Sequence, residues 1–176
     1  IQGLVEAGLT YIELTSFVRP EAIPALRDAS ALVGRVLAAG FPPDIIFSCL
    51  VPNGKGMERA CEAGIREIAI FTATSEVFCA HNIQASIEES FERFRPVMAK
   101  AKAEGKAVRG YVSTVFGCPY IGETSVDKLL EVTRRLFDMG VYEVSLGDTI
   151  GVATPPQVQS ILQQMLLHFP AERLAM

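Results

Sequence analysis

Three stretches decide the fold: EAGLTYIELTS (6–16), EAGIREIAIFTATS (62–75) and DMGVYEVSLGDT (138–149). Each carries the end of a helix-like run, a glycine, a short polar step, and then alternating apolar residues that close on small polar or acidic ones. Glycine takes the left-handed conformation that stops a helix without a steric penalty. The pattern therefore reads as a helix that ends and turns at once into a strand. Two further strands are expected at DIIFSCLVP (44–52) and AVRGYVSTVF (107–116), without that glycine lead-in.

Helices fill the intervals. PEAIPALRDASALVGRVLAAG (20–40) reads as one long amphipathic helix with Pro24 near its start, and GKGMERACEAG (54–64) as a short one. Ser86 followed by Glu89 forms a capping box opening SIEESFERFRPVMAKAKAEG. Ser125 caps VDKLLEVTRRLFDMG, and Thr154 then Pro155 opens PPQVQSILQQMLLHF, with proline in the first turn where it is tolerated. Strand and helix alternate along the whole chain, and strands joined by crossover helices must run parallel. No strand is followed by GxGxxG, which disfavours a dinucleotide-binding fold. The expectation is an α/β protein of the (βα)8 TIM-barrel type, here an incomplete barrel of about five to six βα units. Residues 1–176 form a single partial domain, approximately strands two to six with their flanking helices.

Composition agrees with this architecture and excludes others. A length of 176 residues suits one domain. The hydrophobic fraction of 49% belongs to a core with strands buried on both faces, because no run approaches the ~18–20 apolar residues of a membrane span. A net charge of −4 without clustered Lys and Arg argues against a nucleic-acid partner. Cys49, Cys61, Cys79 and Cys118 form no CxxC pair, and His81 and His168 stand far apart. That spacing fits neither a disulfide scaffold nor a zinc site, and it suits reduced thiols in a cytoplasmic protein. The chain opens on Ile1 in what reads as a helix tail and closes on AERLAM as a strand begins, so a mitochondrial location stays open.

Alternation along the strands sorts their side chains. Glu13 and Thr15 share one face, as do Arg109, Tyr111 and Ser113, and then Glu143 and Ser145. The apolar partners of each set are expected to face the helices, leaving the polar sets to line the barrel interior. Charges there need partners. Arg109 is either a structural ion pair with a Glu on a neighbouring strand or part of a site. Glu13 lies near the C-terminal end of its strand, where barrel active sites are built. Asp148 directly follows a strand, as a functional carboxylate or as a helix cap or Asx-turn.

The segments IELTSFVRP (12–20), VPNGKG (51–56), SEVF with HNIQASIEESFERF (75–94), VRGYVS with GCPYIGE (108–123) and YEVSLGDTIGVATP (142–155) together resemble the hydroxymethylglutaryl-CoA lyase family. The resemblance implies a metal-dependent barrel that cleaves 3-hydroxy-3-methylglutaryl-CoA into acetyl-CoA and acetoacetate, using Mg²⁺ or Mn²⁺. It implies catalytic roles for Glu13, matching the family's glutamate beside the metal, and for Asp148, which supports the metal and substrate. It also implies substrate contacts for Ser16, Ser145, Arg109 and Tyr111. Asn82, expected in a loop after a SEVF strand, is implied to contact the CoA moiety, while Lys55 is expected to be solvated. The family's metal ligands are an Asp of an Arg-Asp-Gly motif, an HxH pair and a later Asn. Neither motif occurs in these residues, so no ligand is assigned here. The family's catalytic cysteine sits in a Gly-Gly-Cys-Pro-Tyr loop, and Cys118 lies in a different segment. The implied partner is an acyl-CoA substrate, with no nucleic acid, no membrane and a homo-oligomer left open. Two other readings stand beside the lyase: a related acyl-CoA condensing enzyme, and a catalytically empty barrel fragment. The isolated chain is expected to be inactive.

Overall fold

A computed structural model describes residues 1–176. The elements in chain order are α1 (Gln2–Glu6), β1 (Tyr11–Ser16), α2 (Ala29–Ala38), β2 (Ile46–Leu50), α3 (Gly54–Glu62) and β3 (Glu67–Ala73). They continue with α4 (Glu76–Ile83), α5 (Ile87–Ala103), β4 (Ala107–Ser113), α6 (Val126–Met139), β5 (Glu143–Leu146), α7 (Pro155–Leu166) and β6 (Leu174–Ala175). All six strands form one parallel sheet whose spatial order is the chain order, β1 to β6. This is an open arc of the barrel expected from the sequence.

The glycines behave as the repeat demands. Gly8, Gly64 and Gly140 have φ of 90°, 83° and 102°, each between a helix and the next strand. Gly40 and Gly105, at φ 71° and 63°, precede β2 and β4 in the same way. The lead-in therefore holds for the two strands expected to lack it; their glycines are displaced further from the strand and escape a short pattern.

Three local expectations are corrected. The helix expected over 20–40 is a 3₁₀ turn at Pro24–Leu26 followed by α2. Pro24 occupies the first position of its turn, where its missing N–H costs nothing, and no continuous ladder carries through to Ala29. The SEVF segment is not a strand. Ser75 Oγ accepts from the Phe78 N–H at 3.2 Å and caps α4, which places Asn82 in a helix. In β1 the register shifts between Glu13 and Thr15, so Thr15 pairs with Cys49, a fully buried core residue, and Ser16 pairs with Leu50. A bulge thus breaks the expected alternation, and Thr15 does not share the face of Glu13.

One sheet face is covered by helices. Cys49, Ile68, Ile70, Val108, Val112, Val144 and Leu146 pack into one cluster with Val33, Met57, Phe91, Val97, Leu129 and Leu136. Complete burial of each large aliphatic chain contributes about 1.5–3 kcal/mol. Thr72 on the same face is tied to Ser90 of α5, with their oxygens 2.9 Å apart. The opposite, inner face carries Glu13, Ser48, Glu67, Arg109, Tyr111, Glu143 and Ser145, the register aligning them across the arc.

Candidate active site

Register places Arg109 directly opposite Glu143 and Tyr111 opposite Ser145. Arg109 Nε donates to Glu143 Oε1 at 2.6 Å, and its Nη1 donates to the Tyr111 hydroxyl at 3.1 Å. The Tyr111 hydroxyl in turn donates to Glu13 Oε2 at 3.1 Å, spanning 98 residues of sequence. The guanidinium also lies 5.1 Å from the ring centres of both Tyr11 and Tyr111. Four side chains from β1, β4 and β5 therefore form one line across the inner face. Arg109 is the structural ion pair anticipated from the sequence and is also joined to Glu13 through a phenol.

Electrostatics distinguish the two ends of this line. Desolvation by the surrounding sheet pushes the Glu13 carboxyl above its ordinary value, and the Tyr111 hydrogen bond and Arg109 charge only partly oppose that. Tyr111 is likewise raised, first by desolvation and then by the Glu13 charge. Beneath them, Tyr142 donates to Glu67 Oε1, while burial raises Tyr11 beside Ser48 and Glu67.

Two other expected residues meet elsewhere. Ser16 and Asn82 line one groove of about 760 Å³ at the C-terminal ends of β1 to β3, with Arg19, Asn53, Phe71 and Arg93. The Ser16 hydroxyl is buried without a hydrogen-bond partner. Arg93 donates to the carbonyls of Ile83 and Gln84 at 2.8 and 3.0 Å, fixing the turn that follows Asn82. Gln84 itself takes a left-handed φ of 51°.

Asp148 is engaged by its own loop. Its carboxylate oxygens accept from the N–H groups of Val152 and Ala153 at 3.1 and 2.9 Å, the turn role anticipated as an alternative. The neighbouring Thr149 hydroxyl accepts from Thr114 N–H at 2.7 Å, and Thr74 Oγ1 donates to the Thr114 carbonyl at 2.8 Å. Thr114 has a left-handed φ of 60°. Threonines after β3, β4 and β5 thus clasp the three strand ends together, a feature that scattered single threonines do not reveal in sequence. Cys118 is buried, its thiol 3.2 Å from Ser75 Oγ. Desolvation acts upward on it, but its hydrogen bonds with the Ser75 hydroxyl and with the Tyr120 and Ile121 backbone bring it below the usual thiol value. Lys55 is exposed in the first turn of α3.

No three His, Cys, Asp or Glu side chains come together in a way that could hold a metal ion. Glu13 has one oxygen occupied by Tyr111 and Asp148 has both held by amides. The residues present do not by themselves fit a hard cation needing several oxygen ligands.

An all-parallel βα arc with its polar side chains on the inner face and at the strand C-termini has the architecture of the (βα)8 barrel class, here incomplete. A family model described as HMGL-like matches residues 1–176, and the chain belongs to that family. The mitochondrial hydroxymethylglutaryl-CoA lyase of Rattus norvegicus is 47% identical over 175 residues, covering 99% of this chain and 53% of that protein. The 3-hydroxy-3-isohexenylglutaryl-CoA/hydroxymethylglutaryl-CoA lyase of Pseudomonas aeruginosa is 42% identical, with 99% and 57% covered. Among solved structures, the Bacillus subtilis HMG-CoA lyase superposes with a TM-score of 0.91 at 40% identity, covering 97% of this chain and 56% of that one. An Acinetobacter baumannii HMG-CoA lyase in complex with coenzyme A and 3-methylmalate gives 0.86 at 32% identity, covering 94% and 53%. The chain spans about half the length of the curated relatives it matches.

Proposed function

We propose that this sequence is the substrate-facing half of a carbon–carbon lyase that cleaves 3-hydroxy-3-methylglutaryl-CoA into acetyl-CoA and acetoacetate, active in a protein of its relatives' full length. The observation that carries the reading is the line Glu143–Arg109–Tyr111–Glu13, which leaves Glu13 as an inner-face carboxylate without a cation of its own. The names of its relatives supply the substrate class.

Retro-Claisen cleavage removes the proton of the tertiary hydroxyl, breaks the bond to the acetyl-CoA carbon, and returns a proton to that carbon. Glu13, its carboxyl raised by desolvation, is suited to hold that hydroxyl proton. Tyr111 occupies one Glu13 oxygen and thereby orients the other. Ser145 stands beside Tyr111 in register, where it can steady the substrate. The groove bearing Ser16 and Asn82 takes the acyl-CoA, and Asp148 stiffens the loop at its own strand end. Mg²⁺ or Mn²⁺ is proposed for the whole protein, with ligands from other residues. Four free thiols suit a reducing compartment, either cytoplasm or mitochondrial matrix. No helix is long and apolar enough to cross a membrane.

The test is acetoacetate release from hydroxymethylglutaryl-CoA with Mn²⁺. A protein of full family length carrying this sequence is expected to turn over, and the 176 residues alone are not. Condensation of acetyl-CoA with a keto acid, in place of cleavage, would overturn the lyase reading. Turnover by the 176 residues alone would overturn the need for ligands elsewhere.

A further inference from the structure

The strands' inner face holds three carboxylates, Glu13, Glu67 and Glu143, but only one cation, Arg109. Its allocation is specific. Glu143 takes the guanidinium Nε at 2.6 Å, and the pair is largely shielded, with side-chain exposures of 16% and 24%. Glu67 is satisfied by the Tyr142 hydroxyl. Glu13 receives only the Tyr111 hydroxyl, although that same oxygen is 3.1 Å from both Arg109 Nη1 and Glu13 Oε2. The phenol oxygen is thus the one atom that bridges guanidinium and carboxylate. The Tyr11 and Tyr111 ring centres each lie 5.1 Å from the guanidinium carbon.

We propose that Glu143 is a positioning residue that keeps the Arg109 guanidinium from pairing directly with Glu13, so that Glu13 receives its side-chain hydrogen bond from the Tyr111 hydroxyl and the Arg109 charge acts on it only from beyond that phenol. The inference rests on the reading of Glu13 as the group that holds the hydroxyl proton. A directly paired Glu13 would be a weak base, because an opposite charge within ~4–6 Å stabilises the carboxylate. The other groups around Glu13 do not replace this control. Cys49 on β2 has its thiol pushed up to about 12 by burial and is neutral. Tyr11 is raised by burial and is also neutral, and Glu67 lies in its own hydrogen-bonded cluster.

The experiment is a carboxyl ¹³C NMR titration of Glu13 in the 176-residue chain, wild type against Glu143→Gln, Arg109→Gln and the double variant. Glu143→Gln frees the guanidinium and is expected to lower the Glu13 midpoint by about one unit or more. In the Arg109→Gln background the same change is expected to move it far less, so the cycle isolates the route through Arg109. Glu143→Asp keeps the charge and draws the guanidinium toward β5; its midpoint is expected at or above wild type. The amide spectrum checks the fold of each variant, and Glu143→Asp is the deciding arm should Glu143→Gln not fold. An unmoved midpoint in folded Glu143→Gln, an equal shift without Arg109, or a fall in Glu143→Asp would each overturn the proposal. The titration needs no substrate. A failed cleavage assay beside the expected shifts therefore removes the function and leaves the device, and the converse result does the reverse.

Discussion

Glu13 owes its chemistry to its neighbours' commitments: the nearest cation is engaged by Glu143 and the nearest donor is a phenol. Its folded-state value lies above the ordinary carboxyl value. The native chain therefore holds that proton more tightly than the unfolded chain does. This contribution to stability is present at low pH and is lost as pH rises from the ordinary carboxyl range through the raised value. Glu13→Gln removes the ionisation while keeping an acceptor for Tyr111. Its Tm, followed by circular dichroism, is expected to exceed that of wild type near neutral pH, with the gap closing in acid. The shared face of Arg109, Tyr111 and Glu143 was legible from strict alternation. The opposite phase of Thr15 was not, because a bulge is set by pairing with Cys49 on β2 and leaves no mark in β1's own residues. Asp148 likewise reads as a carboxylate after a strand, but only the folded loop brings the Val152 and Ala153 amides onto it.

At the level of elements, the end signals were the most readable. Ser86 and Glu89 close their capping box, with Glu89 N–H to Ser86 Oγ at 3.0 Å and Ser86 N–H to Glu89 Oε2 at 2.7 Å. Ser86→Ala is expected to cost about 1 kcal/mol in urea unfolding, a change in midpoint without a change in slope. Gly56 is a tighter constraint. A Cβ there would stand 2.7 Å from the Phe17 carbonyl oxygen and 3.2 Å from Pro52 Cδ, both parts of the chain leaving β1 and β2. Gly56→Ala must push α3 off the strand exits and is expected to cost about 1–3 kcal/mol in the same measurement, despite alanine's better helix propensity. The SEVF segment misled because Val77 and Phe78 are apolar and short runs fit helix and strand equally. Ser75, three residues before Phe78, was the cap that would have decided it.

For the molecule as a whole, six strands do not close a barrel that takes eight, so β1 and β6 are edges of the sheet. Protection should follow depth in the arc. Native-state hydrogen exchange is expected to be slowest in β3 and β4, joined by seven register pairs with Ile68, Ala69 and Ile70 fully buried. It should be fastest in β6, where only two pairs hold the strand. The sequence repeat carried the architecture to this scale because each helix–glycine–strand unit is local. The course of the groove was not legible, since Ser16 and Asn82 meet across elements that no local pattern relates. The identity between spatial and chain order bears on synthesis. From β2 onward each strand pairs with the strand made just before it, so β2 can dock on β1, and β3 on β2, as soon as each has left the ribosome. Between β1 and β6 the nascent chain can therefore build its sheet in the direction in which the ribosome delivers it.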